Sequence, residues 1–71
     1  MENNSEDYME IKMSGGWYIT ISLTSSKKYG KEYVEIAKER SGKKKGIFNL
    51  NPKYVRELGE TLIKFADANK L

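Results

Sequence analysis

A chain of 71 residues without cysteine or histidine has room for one small domain, and it excludes a disulfide-stapled scaffold and a Cys/His zinc site. The formal net charge is +3 and is unevenly placed: Lys12 is the one cation among residues 1–26, against Glu2, Glu6, Asp7 and Glu10, and every other Lys and Arg comes later. An acidic start before a basic body predicts a polyanion-binding surface, and a core this small predicts self-association.

Residues 1–7 read as a disordered acidic tail. They lack the apolar segment of a signal peptide, and nowhere is there an apolar run fit to span a membrane. The expectation is an intracellular protein with no membrane partner, in the cytoplasm or nucleoid, or in the nucleus of a eukaryote. Tyr8–Met13 reads as a short strand with Met9, Ile11 and Met13 on one face, closed by a turn at Ser14-Gly15-Gly16. In Trp17–Thr24, Trp17, Ile19, Ile21 and Leu23 alternate with Tyr18, Thr20, Ser22 and Thr24. That is the period of a half-buried antiparallel strand. By parity Trp17 is read as core, with base stacking as the alternative.

Ser25–Lys31 is a polar connection. Glu32–Arg40 suits a helix by composition and a strand by the alternation of Val34 and Ile36; the hairpin-like connection before it selects a strand. Ser41–Lys45 reads as a basic loop and Gly46–Leu50 as a short fourth strand. Asn51 is a good N-cap and Pro52 fits the first helical position. Val55, Leu58, Leu62, Phe65, Ala66 and Asn69 then make the apolar stripe of a helix expected to fray after Ala68. Gly59 beside the stripe costs about 1 kcal/mol relative to Ala, which predicts a close packing contact there. The fold class is α+β: a four-stranded curved antiparallel sheet followed by one long C-terminal helix, with the helix covering one face and the other left open. Residues 8–71 form the single domain.

Catalysis has little to work with, since there is no His, no Cys, no visible pair of acid–base carboxylates and no phosphate-binding glycine motif. The chain is read as a binding protein, not an enzyme, with no cofactor and no metal. The candidate contacts are Lys27, Lys28, Tyr29 and Lys31 in one connection, Lys43, Lys44 and Lys45 in the next, and Arg40 between them. Tyr18, Thr20 and Tyr33 lie on the hydroxyl-bearing sheet face that these connections flank. Lysines attract phosphates and aromatic rings stack on unpaired bases, so the expected ligand is single-stranded DNA, bound largely without regard to sequence. An RNA-binding module using the same face and a protein-interaction or assembly module with no nucleic-acid ligand are the alternatives. Lys53 and Arg56 at the helix start extend an anion site or are simply solvated.

Lys44-Lys45-Gly46-Ile47 followed by Leu50-Asn51-Pro52 resembles the transcriptional coactivator family of positive cofactor four, and Tyr29-Gly30-Lys31 is similar to the Gly-Lys hairpin of that family. The resemblance covers residues 17–71 in element order; the Pur and Whirly domains share related designs. It implies a homodimer with helices packed at the two-fold axis, an intersubunit core of Leu58, Leu62, Phe65 and Leu71, and backbone contacts from Lys31, Lys44 and Lys45 to single-stranded DNA. It also implies roles in transcription, replication or repair. Two departures stand out. The stretch Ile47–Leu50 before Asn51-Pro52 is one residue longer than the usual spacing, which predicts a β-bulge, and Arg40 stands in the region where the family often has an aromatic residue.

Overall fold

Alternation of side-chain type along the first fifty residues builds one antiparallel sheet, with strand order β1-β2-β3-β4. The computed structural model describes residues 7–26 and 30–71. The strands are β1 (Tyr8–Lys12), β2 (Trp17–Ser26), β3 (Lys31–Arg40) and β4 (Lys43–Leu50), and one helix follows, α1 (Val55–Ala68). This is the β-β-β-β-α order that the sequence predicts. Of the acidic tail, residues 1–6 lie outside the described residues; Asp7 is a turn residue whose carbonyl oxygen accepts the Leu23 N–H at 2.9 Å.

A single 3-10 turn, Ser14–Gly16, joins β1 to β2. Gly15 and Gly16 both have positive φ (72° and 80°), a conformation open to glycine at little cost. Strand β2 pairs with β3 along its whole length, from Trp17 opposite Arg40 to Ser26 opposite Lys31. The next connection is shorter than the sequence suggests. Ser41 and Gly42, with φ of 54° and 77°, close the β3–β4 hairpin by themselves. Two successive positive-φ residues match the twist of the flanking strands, so pairing resumes at once. Lys43, Lys44 and Lys45 are therefore strand residues opposite β3, not members of a loop. The extra residue of β4 appears as a register shift between Ile36 and Lys38, beside Gly46 at φ 60°.

Asn51 caps the chain reversal after β4, its side-chain oxygen accepting the Lys53 N–H at 3.1 Å, and Pro52–Tyr54 makes a 3-10 turn before α1 begins. At the other end the helix does not fray. The Leu71 N–H donates to Ala66 O at 2.9 Å and the Lys70 N–H to Asp67 O at 3.2 Å, with Lys70 left-handed at φ 55°. These are the two bonds of a Schellman cap, and the Asn69 side chain adds a third to Phe65 O.

The helix does not cover a sheet face, contrary to expectation. Contact is confined to its start: Val55 shares a hollow of about 140 Å³ with Met9, Ile21, Leu23 and Val34, and Leu58 borders Leu50. Farther along, Leu62, Ile63 and Phe65 are 57%, 64% and 60% exposed. The short connection, Asn51 and the 3-10 turn Pro52–Tyr54, sets Val55 over the sheet, and the stripe beyond Leu58 meets no strand side chain that buries it. Gly59 makes no close contact either, because a Cβ added there meets nothing within 4 Å. Among the described residues the buried apolar side chains are Val34 and Ala37 only.

Candidate functional site

Residues directly opposite one another in a sheet share a face, so the register sorts every strand side chain. One face carries Glu10 and Lys12 from β1, Tyr18, Thr20 and Ser22 from β2, Tyr33, Glu35, Ala37 and Glu39 from β3, and Lys44 from β4. This is the hydroxyl-bearing face that the sequence points to. Its centre is closed: Thr20 is 3% and Ala37 2% exposed, two small side chains among larger neighbours. The Thr20 hydroxyl is therefore not on the accessible surface. Tyr18 and Tyr33 are half-buried.

Carboxylates dominate the local electrostatics of this face. Glu35 accepts a hydrogen bond from Lys44 Nζ, which holds the Lys44 ammonium above its ordinary pKa, with the charges of Glu35 and Glu39 adding to the effect. The Tyr8 hydroxyl donates to Glu10 Oε1 at 2.9 Å, and that bond to a carboxylate raises the Tyr8 phenol likewise. Lys44 is thus already engaged with protein carboxylates.

The opposite face has two halves. Toward the β2–β3 turn it is apolar, with Ile21, Leu23, Val34, Ile36, Phe48 and Leu50, and with Met9 on the β1 edge; Ile19 and Ile11 continue the row of Lys45 and Lys38 across β2 and β1. Toward the β3–β4 turn it is cationic. Lys38 lies opposite Lys45, and Arg40 lies opposite both Lys43 and Trp17. All four cations are exposed, and none has a carboxylate partner among the described residues. The bulge makes this cluster. Phe48 and Lys45 differ in sequence parity, yet each faces a β3 residue of the same face, Ile36 and Lys38, because the shift between them absorbs one residue. With a regular ladder Lys43 and Lys45 would share the Glu35 and Glu39 face.

Trp17 sits within this cluster. Lys38 Nζ lies 5.3 Å and the Arg40 guanidinium carbon 5.6 Å from the centre of its ring. The indole is half-buried, at the end of β2 and beyond the last paired residue of β1.

The sequence-predicted contacts therefore do not converge on one spot. Lys27, Lys28 and Tyr29 lie outside the described residues. Lys31 belongs to the β2–β3 end, while Arg40 and Lys43 mark the other end, about 30 Å away at roughly 3.3 Å per residue of β3. Arg40, Lys43 and Lys45 come together; Tyr18, Tyr33 and Lys44 occupy the other face. Lys38, which the sequence reading passes over, and Trp17, read there as core with base stacking as the alternative, complete the cluster. The signal for Lys38 is the parity of Val34 and Ile36, which continues through it to Arg40. Of the expected intersubunit residues, Leu58 is half-buried by its own chain, and Leu62, Phe65 and Leu71 are exposed. Among the described residues no group of three carboxylates could hold a metal ion, and no helix is long and apolar enough to cross a membrane. Comparisons with protein-family models, with curated proteins and with solved structures give no match.

Proposed function

We propose that the protein binds single-stranded DNA through the cationic half of the sheet face, as a homodimer of the positive cofactor four type acting on intracellular nucleic acid. The observation that carries this reading is the pairing of like charges, Lys38 opposite Lys45 and Arg40 opposite Lys43. Directly opposed like charges destabilise a sheet by roughly 0.2–1 kcal/mol per pair, and a strand of phosphates reverses the sign of that effect. The Tyr18 face offers no comparable attraction, since Glu10, Glu35 and Glu39 lie on it. The element order and the Asn51-Pro52 helix start support the family resemblance.

A second copy of the chain is the occupant that best suits the uncovered apolar surfaces. The sheet leaves Met9, Ile11 and Phe48 exposed, and the helix leaves Leu62, Ile63 and Phe65 exposed, so one chain carries both halves of an apolar contact that it does not close on itself. With Val34 and Ala37 as the buried apolar residues among those described, an isolated chain has little core. Packing helices and sheets reciprocally between two copies supplies one.

The test is a titration of labelled oligothymidylate and of a duplex of equal length, at low and moderate salt. Tight, salt-sensitive binding to the single strand and weaker binding to duplex is expected. A variant with Lys38, Arg40, Lys43 and Lys45 all changed to Ala should lose affinity and most of its salt dependence. Binding by that variant equal to the parent's sinks the assignment of the face, and no binding by the parent sinks the function.

A further inference from the structure

We infer that Trp17 is a stacking platform for an unpaired nucleobase, and that Lys38 and Arg40 hold its ring until a base replaces them. The inference rests on the single-strand reading above and adds to it the residue that would touch a base. A tryptophan meant for the core would be closed in by apolar neighbours. Trp17 has Ile19 next to it on the same face, yet it remains half-buried at the start of its strand with an ammonium and a guanidinium near its ring.

Magnitudes decide which partner the ring takes. An exposed cation–π contact is worth about a 2- to 5-fold change in an equilibrium constant, and a base stacked on an aromatic side chain about 5- to 150-fold. A base therefore displaces the two cations, and they lose little by it, because phosphates on either side of that base receive them. Lys45, opposite Lys38, lies where the next phosphate passes. The site takes any unpaired base, since every base has a π-face, and a duplex, whose bases are already stacked, cannot use it.

Trp17 is the only tryptophan, so its emission reports this site alone. The full chain is titrated with oligothymidylate of about 16 nucleotides, the upper site size of small single-strand binders, while anisotropy of a labelled copy of the same strand reports binding separately. The expected result is quenching of Trp17 that saturates together with the anisotropy. An abasic strand of equal length should bind more weakly and leave the emission unquenched. Trp17→Ala should lower affinity about 5- to 150-fold and Trp17→Phe much less; far-ultraviolet circular dichroism of each variant verifies the fold. Anisotropy that shows binding while Trp17 emission stays constant overturns the stacking role and leaves the single-strand reading standing. Equal quenching by the abasic strand overturns it as well, since charge alone would then account for the signal. If neither strand binds, the parent reading fails and this one fails with it.

Discussion

Replacing Lys45 by Glu should make the free protein more stable and a poorer ligand for single-stranded DNA. Lys45 lies opposite Lys38 on the cationic face, and both are exposed. Removing the opposed like charges recovers roughly 0.2–1 kcal/mol, and the new Lys38–Glu pair contributes a similar amount, so a gain of about 1 kcal/mol is a central value. For a domain of this size that is a rise in Tm of about 4–8 °C. The assay is thermal unfolding followed by circular dichroism at a fixed chain concentration, because a dimer's Tm depends on concentration. At about 1 M salt, where charges are screened beyond about 3 Å, the gain should largely vanish. In the binding titration, one lost phosphate contact on a single strand should flatten the slope of log K against log salt by about 0.7. A Tm that is unchanged or lower at low salt, with a native spectrum, would falsify the claim that this face stores like-charge repulsion. Unchanged affinity would separately refute its use for phosphates.

Other expected outcomes concern assembly, the helix ends and the opposite face. Leu62→Glu places a charge in the middle of the uncovered helix stripe, and sedimentation should show a dimer for the parent and a monomer for the variant. Identical sedimentation of the two would remove the helix from the interface. Lys70→Gly relieves a left-handed non-glycine residue in the Schellman cap and should stabilise by roughly 1 kcal/mol, whereas Asn51→Ala removes the cap to the Lys53 N–H and should cost about as much; denaturant midpoints at constant m-value measure both. The raised pKa values of Lys44 and Tyr8 mean that the folded state holds their protons more tightly than the unfolded chain does. Their contribution is present below the unfolded values, near pH 10, and is lost as pH rises through the folded ones. Lys44→Met and Tyr8→Phe should each make stability fall less steeply above about pH 10, and an unaltered alkaline profile would argue against both bonds.

Much of the architecture was legible in the residues because the relevant physics is local. The Trp17–Leu23 alternation identifies a strand wherever it sits, and Val34 and Ile36 identify its neighbour despite a helix-compatible composition. Asn51 and Pro52 start a helix by satisfying or lacking the first N–H groups, which needs no tertiary partner. The candidate site was legible only in part. Charge marks Arg40, Lys43 and Lys45, but it marks Lys44 equally and does not single out Lys38, because a run of lysines does not reveal which way each one faces.

Facing is a property of pairing, and pairing belongs to the tertiary structure. Two positive-φ residues at Ser41 and Gly42 put the lysines into a strand, and one absorbed residue near Gly46 moved Lys43 and Lys45 to the face of Trp17 and left Lys44 with Glu35. A single-residue shift costs little locally, yet it inverts the parity of everything beyond it. The packing of the helix was decided in the same way: its stripe is written in the sequence, but only the tertiary structure sets Val55 and Leu58 against their own sheet and leaves Leu62, Ile63 and Phe65 uncovered, because helical spacing specifies an apolar face and not the surface that meets it.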